Sequence, residues 1–552
     1  MIQKTIRVHP SVDALGARLR EGMVNLTPVS FVSCADLAEC RDGEAILSLS
    51  GDDEVIRKLP PGNIRCFHLA GAAWRQGAGL GGSSIEFAQS ERLDKRLRGR
   101  ALVHKPIPGY SGLRIEPGDE ILARCGGNPV WVKRARPNLS SDVVSVPLPK
   151  LATGDILFDH FHRSRFFQVL PLLHFLREVT ADTGWDNPPL RACLMLDDPN
   201  LHWPSYGFLR YEKLLDEAKS RGFHVAFATV PLDAWVSHPA AVSLFRRHPD
   251  QFSLLAHGND HSKHELSRGR TEKDYLRLAA QSLRRIDHLE KTTGLHVSRV
   301  MAPPHGACTD GSLAALLATG FEGVCAATNL LRKGNPRLHH ACFGLKLAEI
   351  ATGSAPVIPR FKLDSSCENA IVISAFLNRP IIPVGHHHTA VDGLDLLSHT
   401  AEVVNSLGDV RWRSPEAILR SNFRTFREDT TLWIEPYSSR IKLIVPSGIS
   451  EVRFHRSANT VPDTNWEFAF VAKGGSELLN HQKISNAPLR VTPGDHLEFV
   501  SEGLGSVNYR EVEHPQLSLS VRALPRRLFC ELRDRFMPLM PRDMIPKAWT
   551  SG

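Results

Sequence analysis

Asp197-Asp198-Pro199-Asn200 closes one apolar run of this chain, and His257-Gly258-Asn259-Asp260-His261 closes another. Neutral imidazole and carboxylate are the side chains that hold zinc and related divalent ions, and three protein ligands with an open position mark a catalytic rather than a structural site. His257, His261 and one of the two aspartates make such a triad, leaving the other aspartate to act as a base. That is the equipment of a metal-dependent hydrolase. On a regular strand adjacent aspartates would point to opposite faces; at a strand end, where the backbone turns, both can enter one site. The adjacency also argues against a glycosidase, whose two carboxylates flank the scissile bond at roughly 5 to 9 Å and come from different strands. His257 and His261 stand at i and i+4, a spacing that faces both rings the same way if the strand gives way to one helical turn.

These residues can meet only if a fold gathers them. From Arg191 the pattern is a repeating strand-then-helix rhythm, which predicts parallel strands joined by helical crossovers. Strands are expected over 192–196, 223–230, 252–256, 297–301 and 321–326, with late strands at 371–376 and 380–384. Helices are expected over 211–221, with Tyr211, Leu214, Leu215 and Ala218 on one face, and over 239–247, 271–293 and 311–319. Asp197-Asp198, His257 with His261, Pro303-Pro304-His305-Gly306 and His386-His387-His388 all follow the C-terminal end of an expected strand. In a closed or nearly closed β/α barrel those ends share one rim, where such folds do chemistry.

The order Asp-Asp, His-x-x-x-His, Pro-Pro-x-Gly, then an apolar strand ending in His resembles the polysaccharide deacetylases, the carbohydrate esterases with NodB homology, over roughly residues 191–423. The resemblance implies an α/β fold with a distorted (β/α) barrel, a metal-dependent deacetylase acting on carbon–nitrogen bonds of an N-acetylated sugar or a related small acylated amide, and a divalent metal, zinc first with cobalt or nickel as alternatives. It implies Asp197 as general base, Asp198, His257 and His261 as metal ligands, and His386 as general acid. Pro199 stands where the family has Gly, Gly258 where it has Ser or Thr, and Ala302 where it has the Arg that orients the base, a task for which Arg299 is the nearby candidate. The triple histidine leaves the acid open among His386, His387 and His388. His264 and Asp260 suit the orientation of a ligand imidazole, and His305 lies where a side chain would face substrate. The alternative is a carbohydrate-binding or assembly protein that keeps the barrel without turnover.

With 552 residues, 42% hydrophobic and 23% charged, the chain has room for several domains. The expected division is a strand-rich α/β domain over 1–150, with a hairpin at 120–133; a helical connector over 151–189; the barrel over 190–428; and a small β-sandwich over 429–552. The sandwich strands are read from alternations at 441–445, 452–454, 466–470, 497–499 and 517–521. The Gly77–Gly82 patch lacks the Lys-Ser/Thr of a phosphate loop and reads as a surface loop. Residues 524–547, basic and apolar, read as a helix docked on its own domain in preference to a membrane-surface anchor. A net charge of +8 without a basic, aromatic-laced block predicts no nucleic-acid partner. No run reaches the length of a membrane span. The first 20 residues lack an apolar signal region, and ten dispersed cysteines form no paired framework, which together predict a cytoplasmic protein.

Overall fold

Seven short runs of small and branched apolar residues form a closed parallel barrel: β1 (Leu194–Asp197), β2 (Val225–Thr229), β3 (Phe252–His257), β4 (Val297–Ala302), β5 (Gly323–Ala327), β6 (Val357–Lys362) and β7 (Pro383–Gly385). The computed structural model describes residues 3–540 apart from 61–62, 80–82, 107–110, 137–138, 163, 268–269, 337, 339, 351–352, 456–471, 474–475, 478–487 and 516. Strands covered on both faces read as nearly continuous apolar runs, so the two-residue period is hidden in the sequence yet sets every side chain's direction. Met195, Ala226, Ala228, Leu255, Val300, Ala302, Ile358 and Ile382 share the inner core. Continuing the same parity to the C-terminal ends brings Asp197, His257 and Arg360 to the inner face at the rim.

The crossover helices follow their sequence signals. Tyr211–Arg221 buries Tyr211, Leu214, Leu215 and Ala218 and ends at Gly222 in the left-handed region. Glu272–Thr293 starts in a capping box of Thr271 and Asp274 and ends at Gly294. Two expectations fail. Residues 371–376 are a helix, Glu368–Phe376, with every residue from Ile371 to Phe376 buried; an apolar run buried on all sides carries no period that separates helix from strand. The strand in that part of the barrel is β6, where Pro356 and Pro359 interrupt the sequence signal. Residues 517–521 likewise open a helix, Leu517–Phe536, rather than a strand.

After the barrel, a five-stranded sheet (Trp185–Asp186, Phe423–Glu428, Thr431–Pro436, Glu451–Phe454, Leu489–Arg490) and a two-stranded one (Arg440–Ile444, His496–Val500) close on one core containing Ile434, Ile441, Val452, Leu497 and Phe499. This is the expected sandwich, and it takes in residues on both sides of the barrel; the alternation at 466–470 lies outside the described residues. Barrel and sandwich together form one compact unit, Trp185–Leu338 with Leu347–Gly552. The other unit, Met1–Gly184 with His339–Lys346, is built on a nine-stranded sheet. Five of its strands run parallel and four antiparallel, and the latter include the hairpin of Glu120–Cys125 with Asn128–Arg136. Arg75–Gly79 pairs with Ser111–Leu113, so the first glycines of the Gly77–Gly82 patch are strand rather than loop, and 80–82 lie outside the described residues. No helix of the described residues is long and apolar enough to cross a membrane.

Candidate active site

Asp197 ends β1 on its inward parity, and one backbone torsion sends Asp198 into the same mouth: its φ is 80°, in the left-handed region. The turn is fixed by Asp198 N–H donating to Ala228 O at 3.1 Å and by the Thr229 hydroxyl donating to Pro199 O at 2.6 Å. The Asp198 Oδ1 atom then stands 3.2 Å from His261 Nε2 and 3.8 Å from His257 Nε2.

His257 ends β3, and its Nδ1 donates to Ala302 O at 2.9 Å, which leaves Nε2 as the lone-pair nitrogen facing Asp198. His261 arrives by a loop instead of a helical turn, with Gly258 at φ 70° and His261 itself at φ 56°. A Cβ on Gly258 would fall 1.7 Å from Glu265 Oε1 and 2.5 Å from Pro304 Cγ, which is why Ser or Thr has no place here. The fully buried Glu265 carboxyl accepts the backbone N–H of Asn259 at 2.8 Å and of Asp260 at 3.2 Å; burial, then the nearby Asp260, holds it well above the usual carboxylate range. Arg285 binds Asn259 O at 2.9 Å, and the loop is held from both sides.

One ligand atom from each of Asp198, His257 and His261 lies within 4.8 Å of the other two. These residues fit a divalent cation. Asp198 Oδ1 is buried and accepts no hydrogen bond among the described residues, with two imidazole nitrogens converging on it. Burial lowers both imidazoles, His261 to about 3, so both are neutral, as metal ligands must be. Burial opposes ionisation of Asp198, yet the carboxyl is held far below the usual range; with both imidazoles neutral, the charge facing it is the Arg527 guanidinium, 3.7 Å from Oδ1. Two nitrogens and one oxygen suit zinc or a related ion.

Asp197 has a different partner. Arg360 Nη1 donates to Asp197 Oδ1 at 2.9 Å, and both side chains are 5% exposed. Burial alone would raise this carboxyl; the Arg360 guanidinium more than offsets it, and Asp197 is an ionised carboxylate. Arg299 is elsewhere: its guanidinium grips Glu290 at 2.7 Å and reaches Asp287 at 3.5 Å. Strand parity explains the difference, since Val300 and Ala302 face the barrel core and Arg299 between Ser298 and Val300 faces the helices. The only sequence signal for Arg360 is its place two residues after Ile358, on the same strand parity, and the prolines at 356 and 359 hide the strand that would give that spacing meaning.

The three consecutive histidines separate. His386 Nε2 is 4.0 Å from Asp198 Oδ2 and its ring stacks on His388 at 5.2 Å; His387 is buried and turns to Asp534, 3.5 Å away. Burial lowers His388 to about 4. His305, at φ 56°, stands 5.2 Å from the His261 ring and 5.3 Å from His264. Asp260 caps Ser262, accepting its N–H at 2.9 Å.

The 517–536 helix supplies residues that no motif announced. Arg527 pairs with Asp233 and stands 3.7 Å from Asp198 Oδ1; Arg526 donates to His261 O at 2.8 Å; Glu531 accepts from Asn200 at 2.5 Å; and Asp534 accepts from the Tyr206 hydroxyl at 2.8 Å. Of the seven charged residues in this stretch of sequence, Arg527, Glu531 and Asp534 are spaced four and three and so fall on one face. The helix lies across the rim loops.

No family model matches the chain, and no curated protein matches it. Similar solved structures include that of Agd3, a novel carbohydrate deacetylase, at 9% identity and a TM-score of 0.49, over 91% of this chain and 99% of that one. A putative polysaccharide deacetylase from Mycobacterium smegmatis is 14% identical with a TM-score of 0.31, over 42% of this chain and 90% of its own. A family 4 acetyl xylan esterase from Clostridium thermocellum, in complex with a cobalt ion, is 12% identical with a TM-score of 0.25, over 41% of this chain and 89% of its own. At these scores the likenesses decide neither substrate nor reaction.

Proposed function

We propose that the chain is a metal-dependent hydrolase of polysaccharide deacetylase type, which cleaves the carbon–nitrogen amide of an N-acetylated sugar or a related small acylated amide. One observation carries this reading: of two adjacent aspartates, Asp198 faces two neutral imidazoles while Asp197 is held ionised by the buried Arg360. Asp198, His257 and His261 would hold the divalent ion, zinc first and cobalt or nickel as alternatives. When bound, it would polarise the acyl oxygen and lower the pKa of water. Asp197 takes the proton of the attacking water, and Arg360 keeps that carboxylate oriented and charged. His386, the member of the triple histidine nearest Asp198, gives a proton to the departing amine. Ten free cysteines, nine of them buried, suit a reducing compartment such as the cytoplasm. Arg360 gives Asp197 the guanidinium partner that Ala302 does not, which supports turnover over a binding protein that keeps the barrel without it.

The test is Asp197→Asn with N-acetylated oligosaccharides and acetate release as the readout. The variant is expected to lose roughly a hundredfold or more in kcat while keeping its metal. Equal turnover in variant and parent, or no acetate release by the metal-loaded parent from any N-acetylated sugar, would count against the proposal.

A further inference from the structure

The rim helix is built the wrong way round for a helix that merely packs on a domain. Its inward stripe is Ala523, Arg527, Glu531 and Asp534, followed by Met537, and the three charged members all make ion pairs or hydrogen bonds to rim loops. Its outward stripe is Leu524, Leu528, Phe529, Leu532 and Phe536, with Leu539 just beyond, at 46–77% exposed. A surface helix of a soluble domain ordinarily turns its apolar stripe inward. An apolar face this large that points outward marks an interaction site.

Its surroundings say what kind. The acidic residues, Glu531 and Asp534, are consumed on the inner side, so the charge offered outward is positive: Arg526 and Arg535 are exposed. Two more rim loops extend the apolar surface, with Trp203 at 41% and Trp235 at 63% exposed, and the Arg535 guanidinium lies 3.9 Å over the Trp203 ring. Leucine and phenylalanine along one helical face, flanked by arginine and by tryptophans whose rings favour the headgroup region, are the composition of a helix that lies in a membrane interface. Apposing the same patch of a second copy would instead bring arginines against arginines.

We infer that the outer face of the rim helix, together with Trp203 and Trp235, is a docking surface for an anionic lipid bilayer, on which the protein lies with the barrel mouth toward the membrane. The inference goes beyond the hydrolase reading and does not depend on it. Anionic headgroups meet the arginines, and the leucines and phenylalanines enter the acyl boundary.

The test is flotation of the full chain with phosphatidylcholine vesicles and with vesicles that also contain phosphatidylglycerol, beside the double variant Leu528→Ser, Phe529→Ser. Both side chains point away from the barrel, so metal content and melting temperature serve as controls and are expected to stay put. The parent is expected to float with the anionic vesicles, less so at high salt and with neutral lipid, and the variant to partition at least roughly tenfold less. Absence of partitioning, partitioning unchanged in the variant, or self-association in sedimentation velocity that the variant abolishes would overturn the inference; the last would show the face to be an interface between copies.

Discussion

Asp197 and Asp198 share a residue type and a strand end, yet their surroundings differ because the backbone turns left-handed at Asp198 and because β6 delivers a guanidinium to Asp197 alone. Arg360 is therefore a positioning residue in this account. Arg360→Ala is expected to lower kcat roughly a hundredfold with KM and metal content held, and Arg360→Lys to restore part of the rate; loss of the buried pair also costs about 3–5 kcal/mol of stability, which makes the lysine variant the necessary control. A fall in metal content in step with kcat would assign Arg360 to the metal site instead. At this scale the sequence was legible where chemistry is local: Asp197-Asp198 and the two histidines stand in short motifs and meet in space. Arg360 was not legible as a partner, since 163 positions separate it from Asp197 and only the closing of the barrel joins them.

Among elements, β4 and its neighbouring helices are tied on the outer side of the barrel by a charge cluster that holds Arg299 away from the site. Arg299 binds Glu290 on the 272–293 helix, and His296 reaches Glu416 on Pro415–Arg420 at 3.0 Å. Hydrogen bonds to Glu290 and Glu416 raise His296 to about 9. A raised pKa contributes stability that is fully present below the ordinary value of 6.5 and is lost as pH rises through about 9. His296→Asn is expected to lower the melting temperature slightly near neutral or acid pH, because the side chain is largely exposed, and to leave it unchanged in alkali. A deficit that grows with rising pH would contradict this. Helices with an apolar stripe and a cap signal were readable to within a residue or two, as Tyr211–Arg221 and Glu272–Thr293 show. The failures, 371–376 and β6, are elements buried on both sides or punctuated by proline, where periodicity is silent.

Across the whole molecule, the features least visible in the sequence are those in which the chain returns on itself. Residues 339–346 leave the barrel region and belong to the other unit, where Leu157 N–H donates to Ala341 O at 2.9 Å and Ala341 N–H to Glu21 at 3.0 Å. The 517–536 helix follows a segment that runs along the 272–293 helix, where Tyr509 and Arg510 bind Asp287; a docked helix was expected, but on its own C-terminal domain, and neither its place on the barrel rim nor its inverted faces were. The site thus gathers residues from Asp197 to Asp534, and the measurement that bears most directly on it is the metal content of the purified protein beside its His257→Ala variant. The account predicts one divalent ion per chain in the parent and loss of that ion in the variant. If neither protein retains metal after incubation with zinc, cobalt or nickel, the triad of Asp198, His257 and His261 is no metal site and the hydrolase reading fails with it.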